Sequence, residues 1–287
     1  MTRVAFLGLG VMGYPMAGHL AKKGFDVAVY NRTKAKADAW TKEYKGAAAE
    51  GPAAAVKDAE LVFACLGDDP DVAAVAQEAA PALKPGAVFV DHTTASPALA
   101  RTLHEEMAAR GVGFVDAPVS GGQAGAVNGK LSVMCGGDAA HVEAARGAME
   151  AYSARIVHIG PAGHGQLCKA VNQICIASLL QGLSEGVHFA ARAGLDIDRV
   201  LEAISGGAAQ SWQMENRAKT MAADSFDFGF AVDWMRKDLR IALAEARESG
   251  ARLPATALVD QFYADIQAMG GGRWDTSSLV RRLNQSE

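Results

Sequence analysis

The stretch Arg3 to Arg32 leaves this chain little choice of fold. Arg3-Val4-Ala5-Phe6-Leu7 is an apolar run of strand length, and it ends in Gly8-Leu9-Gly10-Val11-Met12-Gly13. A helix-compatible segment follows, with Met12, Met16 and Leu20 spaced by four, Pro15 in its first turn and Gly24 as its stop. A second apolar run, Asp26 to Tyr30, ends in Asn31-Arg32-Thr33. Strand, glycine turn, helix and strand in this order make a βαβ unit. Gly8 permits the tight turn, Gly10 lets backbone approach a pyrophosphate, and Gly13 lets helix pack close to sheet. The helix start offers N–H groups and a positive dipole end to phosphates. Gly8, Leu9, Gly10, Val11, Met12 and Gly13 are therefore the expected dinucleotide-binding turn of a Rossmann domain.

The end of the second strand bears on which dinucleotide. NAD enzymes commonly place Asp or Glu there, to bind the ribose 2′-hydroxyl. Here the place is held by Asn31, which carries no charge to repel a 2′-phosphate. Arg32 can pair with that phosphate, and Thr33 or Lys36 can add a donor. The expectation is NADP, with NAD possible.

Later strand ends should line the same crevice, because ligands of open parallel sheets sit at the carboxyl ends of the strands. Glu60 to Leu66 runs into Gly67, so Leu66 and Gly67 are candidate backbone contacts to the cofactor. Ala87 to Asp91 leads into His92-Thr93-Thr94-Ala95-Ser96, where the threonine hydroxyls suit a nicotinamide; the alternative is that Thr93, Thr94 or Ser96 caps the helix that starts at Pro97. Gly113 to Ala117 leads into Pro118-Val119-Ser120-Gly121-Gly122. That turn offers a hydroxyl and uncovered N–H groups, which suit a small carboxylate; an ordinary Gly-Gly turn is the alternative.

With 287 residues, about two domains are expected. Half the composition is hydrophobic, and a net charge of -4 gives no footprint for nucleic acid or an anionic membrane. Cys65, Cys135, Cys168 and Cys175 show no CxxC pairing and read as buried packing residues. The histidines show no metal-ligand spacing. No targeting segment and no bilayer-spanning run are evident, so a soluble cytoplasmic protein is expected.

After Gly160 the composition changes. Gln166 to Ala193 runs without proline and reads as one long helix, apolar on most sides and hence buried. Lys169, Asn172 and Gln173 share one face near its start. A lysine in such a helix needs a partner or a task, unless its stem snorkels to solvent, which is the alternative. Burial and the positive helix end both favour its neutral form, which suits a general acid/base. The expected organisation is α/β: a Rossmann domain over 1–162, an interdomain helix over 163–194 and an all-α domain over 195–287.

Taken together, these residues resemble the β-hydroxyacid dehydrogenase family along nearly the whole chain. Gly8-Leu9-Gly10-Val11-Met12-Gly13 is similar to its cofactor motif, and Asp116-Ala117-Pro118-Val119-Ser120-Gly121-Gly122 to its substrate motif. Gly163-His164-Gly165-Gln166-x-x-Lys169-x-x-Asn172-Gln173 is similar to its catalytic motif, and Lys237-Asp238-Leu239 to its C-terminal motif. The resemblance implies Lys169 as catalyst, and Ser120, Gly121, Gly122 and Asn172 as substrate contacts. It implies that Lys237 reaches the same site, which Thr94 faces from the end of its strand, and that the protein is a homodimer or homotetramer. The implied reaction joins a small hydroxyacid to its semialdehyde acid, with no nucleic-acid or membrane partner. Asn31-Arg32-Thr33 resembles NADPH-using semialdehyde reductases. Gln173 replaces the Asn of many members, and Gly67 a usual proline. A catalytically silent cofactor-binding module and an imine reductase are the alternatives.

Overall fold

The structure, a computed structural model, describes residues 2–284. The described residues divide into two compact units, which meet between Lys169 and Ala170 in the sequence.

The first unit alternates strand and helix. In chain order it holds β1 (Arg3–Leu7), α1 (Gly13–Lys22), β2 (Asp26–Tyr30), α2 (Lys34–Glu43), β3 (Ala47–Ala48), α3 (Pro52–Val56), β4 (Leu61–Ala64) and α4 (Asp69–Ala79). There follow β5 (Val88–Asp91), α5 (Pro97–Ala108), β6 (Gly113–Asp116), β7 (Val119–Ser120), α6 (Gly122–Val127), β8 (Leu131–Gly137), α7 (Ala139–Met149) and β9 (Ser153–Gly160). Among the described residues nine strands form one sheet, ordered β3-β2-β1-β4-β5-β6-β8-β7, with β9 beside β8. The strands from β3 to β6 pair in parallel, and β8 turns antiparallel to β6. The strand order reverses between β1 and β4, which opens a crevice at their carboxyl ends.

Both sheet faces are covered, which explains the unbroken apolar strands. Val4 and Phe6 pack on one side with Met16, Leu20 and Trp40. Ala5 and Leu7 pack on the other with Val72, Phe89 and Phe114. Two short elements escape a periodicity reading. At β3 the residues are two alanines, and α6 begins inside the turn that reads as Gly-Gly.

The second unit is helical. It continues α8 (His164–Arg192) into α9 (Ile197–Ile204), α10 (Trp212–Ala222), α11 (Val232–Ser249), α12 (Pro254–Ala268) and α13 (Leu279–Leu283). Ala177 and Leu180 of α8 pack with Met235, Leu239 and Tyr263. The Asp275 carboxylate accepts from Phe230 N (2.9 Å) and Ser277 N (3.0 Å) and pairs with Arg217 (3.2 Å), tying the last turns to the α10–α11 loop.

Three expectations need correction. The α8 helix is not buried all round: Val171, Leu179 and Phe189 are 60%, 37% and 70% exposed. Periodicity counts apolar positions but does not say which of them find a neighbour. By length and composition α8 is also long and apolar enough to cross a membrane, a test that a core helix passes equally. Only Cys135 is buried; Cys175 is exposed, and Cys65 and Cys168 lie between.

One buried polar group gives the first unit a pH signature. His92 stacks on Phe63, with ring centroids 5.8 Å apart. Its Nδ1 lies 2.6 Å from the Ala117 carbonyl and its Nε2 2.8 Å from the Tyr152 hydroxyl. A carbonyl only accepts, so Nδ1–H donates and Nε2 accepts from Tyr152. Burial lowers the imidazole from its ordinary 6.5 to about 4, against the pull of the Ala117 bond. Between those values the unfolded chain binds the extra proton. Stability is therefore full above 6.5 and is lost as pH falls toward 4, by roughly 3 kcal/mol. Urea unfolding across this window should show the loss, and His92→Gln should remove that part of the pH slope.

Candidate active site

The glycine turn after β1 fits a dinucleotide. Gly8 has φ of +99°, and a Cβ there would strike the Cys65 carbonyl; a Cβ on Gly13 would strike the Gly8 carbonyl. At Gly10 a Cβ would meet nothing within 4 Å. Two glycines are thus closed by protein, and the middle one faces open space where a pyrophosphate can approach. The start of α1 carries no side-chain cap. Val11 is 62% exposed beside it. Backbone N–H groups and the dipole suit an anion there.

Asn31 holds this turn in place. Its Oδ1 accepts from Leu9 N (2.9 Å) and its Nδ2 donates to the Thr33 carbonyl (3.0 Å). The amide therefore joins the glycine turn to the end of β2. Arg32 has an 89% exposed side chain and pairs with Asp71 of α4 at 3.2 Å. Thr33 opens α2 without a side-chain cap bond.

The expected Leu66 and Thr93 contacts to the cofactor take another form. Leu66 N donates to Thr93 Oγ1 (2.9 Å), and Thr93 N donates to Asp91 Oδ1 (2.9 Å). Both groups are spent on joining the ends of β4 and β5. Thr93 is 2% exposed, whereas Thr94 is half-buried. Ser96, not either threonine, caps α5, accepting from Leu99 N (3.1 Å).

At the end of β6 the Asp116 carboxylate meets the start of α8. It accepts from Gly163 N (2.8 Å) and Gln166 N (2.9 Å). Burial raises its pKa above the ordinary range, and these backbone bonds pull it down again. A Cβ on Gly165 would strike the Asp116 and Met134 carbonyls, so this residue type allows the close approach. Within the same first turns, Lys169 is only 7% exposed. Its Nζ donates to the Val119 carbonyl at 2.8 Å. Lys169 therefore does not reach for bulk water. Its head group is fixed one residue before Ser120, which ends β7 half-buried. Gly121 and Gly122 follow with φ of +128° and +59°, a conformation that only glycine adopts without strain.

In the helical unit a polar chain starts on α8. Asn172 Nδ2 donates to Gln173 Oε1 (2.7 Å), and Gln173 Nε2 donates to Asp238 Oδ2 (2.7 Å). Lys237 pairs with Asp238 at 3.1 Å and lies over the Trp234 ring at 5.9 Å. The Gln173 departure thus has a structural account: the longer amide spans from Asn172 to a buried carboxylate. Asp116, Gln166 and Asp238 stand inside the sequence motifs, but their spacing alone assigns them no role. The available signal was the same one that singled out Lys169, a polar group placed where neighbours are apolar. Among the described residues no group of three or more His, Cys, Asp or Glu could hold a metal.

Comparison with known proteins agrees with this geometry. Residues 3–160 match the NAD binding domain of 6-phosphogluconate dehydrogenase. Residues 163–283 match the NAD-binding domain of NADP-dependent 3-hydroxyisobutyrate dehydrogenase. An uncharacterized oxidoreductase of Shewanella frigidimarina is 56% identical, covering 100% of this chain and 99% of its own. The 2-hydroxy-3-oxopropionate reductase of Escherichia coli is 34% identical, with 98% and 97% covered. Among solved structures, Mycobacterium tuberculosis 3-hydroxyisobutyrate dehydrogenase with L-serine superposes with a TM-score of 0.91 at 29% identity, covering 99% and 100%. A dinucleotide cradle, a buried lysine and full-length similarity to hydroxyacid enzymes agree on one assignment: the chain belongs to the β-hydroxyacid (3-hydroxyisobutyrate) dehydrogenase family and is an NAD(P)-dependent oxidoreductase acting on CH–OH groups.

Proposed function

We propose that the enzyme prefers NADP(H) and interconverts a short 3-hydroxyacid with its semialdehyde or keto acid, using Lys169 as general acid/base. The observation that carries this reading is the 2.8 Å bond from Lys169 Nζ to the Val119 carbonyl. It keeps a buried proton-transfer group beside the Ser120-Gly121-Gly122 turn.

The turn receives the substrate carboxylate through the Ser120 hydroxyl and the glycine N–H groups. Lys169 then serves the oxygen on the carbon β to that carboxylate. As ammonium it gives a proton to a carbonyl oxygen during reduction; as amine it withdraws the hydroxyl proton during oxidation. Asn172, three residues further along α8, holds a substrate oxygen, and Thr94 lines the site. A bound nicotinamide supplies or accepts the hydride at the carbon. Support for the substrate class comes from the relatives. The E. coli relative is named for 2-hydroxy-3-oxopropionate, and the M. tuberculosis structure is of the enzyme with L-serine. Each is a short acid with oxygen on the β carbon.

The NADP preference rests on the end of β2. No carboxylate side chain follows Tyr30 directly, and Arg32 is exposed. Its Asp71 partner is a solvated monoanion, so such a pair is weak. A 2′-phosphate carries more charge and more acceptor oxygens, and it displaces Asp71 from the guanidinium.

Two variants test the reading. Lys169→Ala should lower kcat by about 10²- to 10⁴-fold, the usual contribution of acid/base catalysis, with cofactor Kd unchanged. Wild-type turnover would refute the role. Arg32→Ala should lower kcat/KM with NADP by about 10- to 100-fold, because a charge-assisted bond contributes ~1.5–3 kcal/mol. The NAD value should hardly move, and equal losses with both cofactors would sink the NADP preference. A panel of semialdehydes and 3-hydroxyacids, assayed in both directions, identifies the substrate.

A further inference from the structure

We infer that Gln166 is a positioning residue that fixes Thr94 relative to Lys169; the inference rests on the acid/base reading of Lys169. Gln166 is 2% exposed. Its Oε1 accepts from Ala95 N (3.1 Å), and its Nε2 donates to the Thr93 carbonyl (2.7 Å). The two bonds grip backbone on either side of Thr94. The residue's own N–H donates to Asp116 Oδ2 (2.9 Å). Gln166 precedes Lys169 by three residues, so both lie on one face of α8.

The Thr93–Ala95 turn is thereby held from three sides. Asp91 takes the Thr93 N–H, Leu66 N binds the Thr93 hydroxyl, and Gln166 holds the two flanking backbone groups. The first two bonds tie the turn to strand ends. The Gln166 bonds tie it to the helix that carries Lys169. A primary amide is the side chain that suits this place, because one group must donate and the other accept within one short span. Glutamate would set an oxygen against the Thr93 carbonyl, and leucine would leave both backbone groups without this partner. A clamp of this kind acts on geometry, and a misplacement of about 1 Å can cost about 100-fold in rate.

The experiment uses the full chain, NADPH and the best substrate from the panel above. Thr94→Ala, Gln166→Leu, the double variant and Gln166→Glu are compared with wild type for kcat, KM and cofactor Kd. Gln166→Leu should lower kcat by about 10- to 100-fold with cofactor Kd unchanged. On the Thr94→Ala background the same change should cost far less, since the clamp then has no threonine to place. Wild-type kcat in Gln166→Leu, or strictly additive losses in the double variant, would overturn the inference.

Should Gln166→Leu fail to fold, Gln166→Glu decides. Its carboxyl would face the Thr93 carbonyl; Asp116 accepts the N–H of residue 166, Asp91 accepts the Thr93 N–H and Asp69 accepts the Ser96 N–H. Lys169 and His164 share its helix, and His92 follows β5. The protonated acid can donate to Thr93 as the amide does, so kcat relative to wild type should rise as pH falls. A ratio independent of pH would overturn the clamp. An active Lys169→Ala enzyme would instead remove the acid/base reading, and leave the Thr94 coupling to be read separately.

Discussion

The Asp116 carboxylate is the point on which the sheet-based part of the site depends. It ends β6, it is fully buried, and it receives two N–H groups from the start of α8. A helix start leaves its first N–H groups without intrahelical partners, and one buried there needs a substitute. Gly163, where a capping side chain would stand, has none to offer. A carboxylate some fifty residues earlier does the work instead. The same contact holds the first turn of α8 at the end of β6, and three residues on Lys169 meets the Val119 carbonyl.

Much of this was legible in the sequence, for reasons that are themselves physical. The glycine turn could be read because sterics at Gly8 and Gly13 admit no other residue without a shift. The importance of Lys169 could be read because a charged group among apolar neighbours is costly unless occupied. The partner of Lys169 could not be read, because a backbone carbonyl fifty residues away leaves no mark in composition. Thr93 and Thr94 are identical in type and adjacent, yet the hydroxyl of the first is consumed by Leu66 N. Only the fold distinguishes them. The exposed side of α8 was equally hidden, since apolar residues at helical spacing look the same with or without a neighbour.

The two polar clusters near Lys169 use their partners in different ways. In the first, Asp116, Gln166 and Thr93 bind mainly backbone groups, which fixes loops against strands. In the second, Asn172, Gln173, Asp238 and Lys237 bind one another through side chains. Backbone partners stay in place when a neighbouring residue is exchanged. A chain of side chains changes as a set, so Gln173 is best understood together with Asp238 and not as an isolated departure.

The remote cap on α8 also orders events during folding. Propagating a helix is easy compared with nucleating it. The segment after Gly163 takes its anion from Asp116, so its first turn has that partner only when the end of β6 lies against it. The end of α8 nearest the chemistry is therefore the end that waits for long-range assembly. The order of the turn that leads to Lys169 is thus tied to the sheet of the nucleotide-binding unit through one carboxylate.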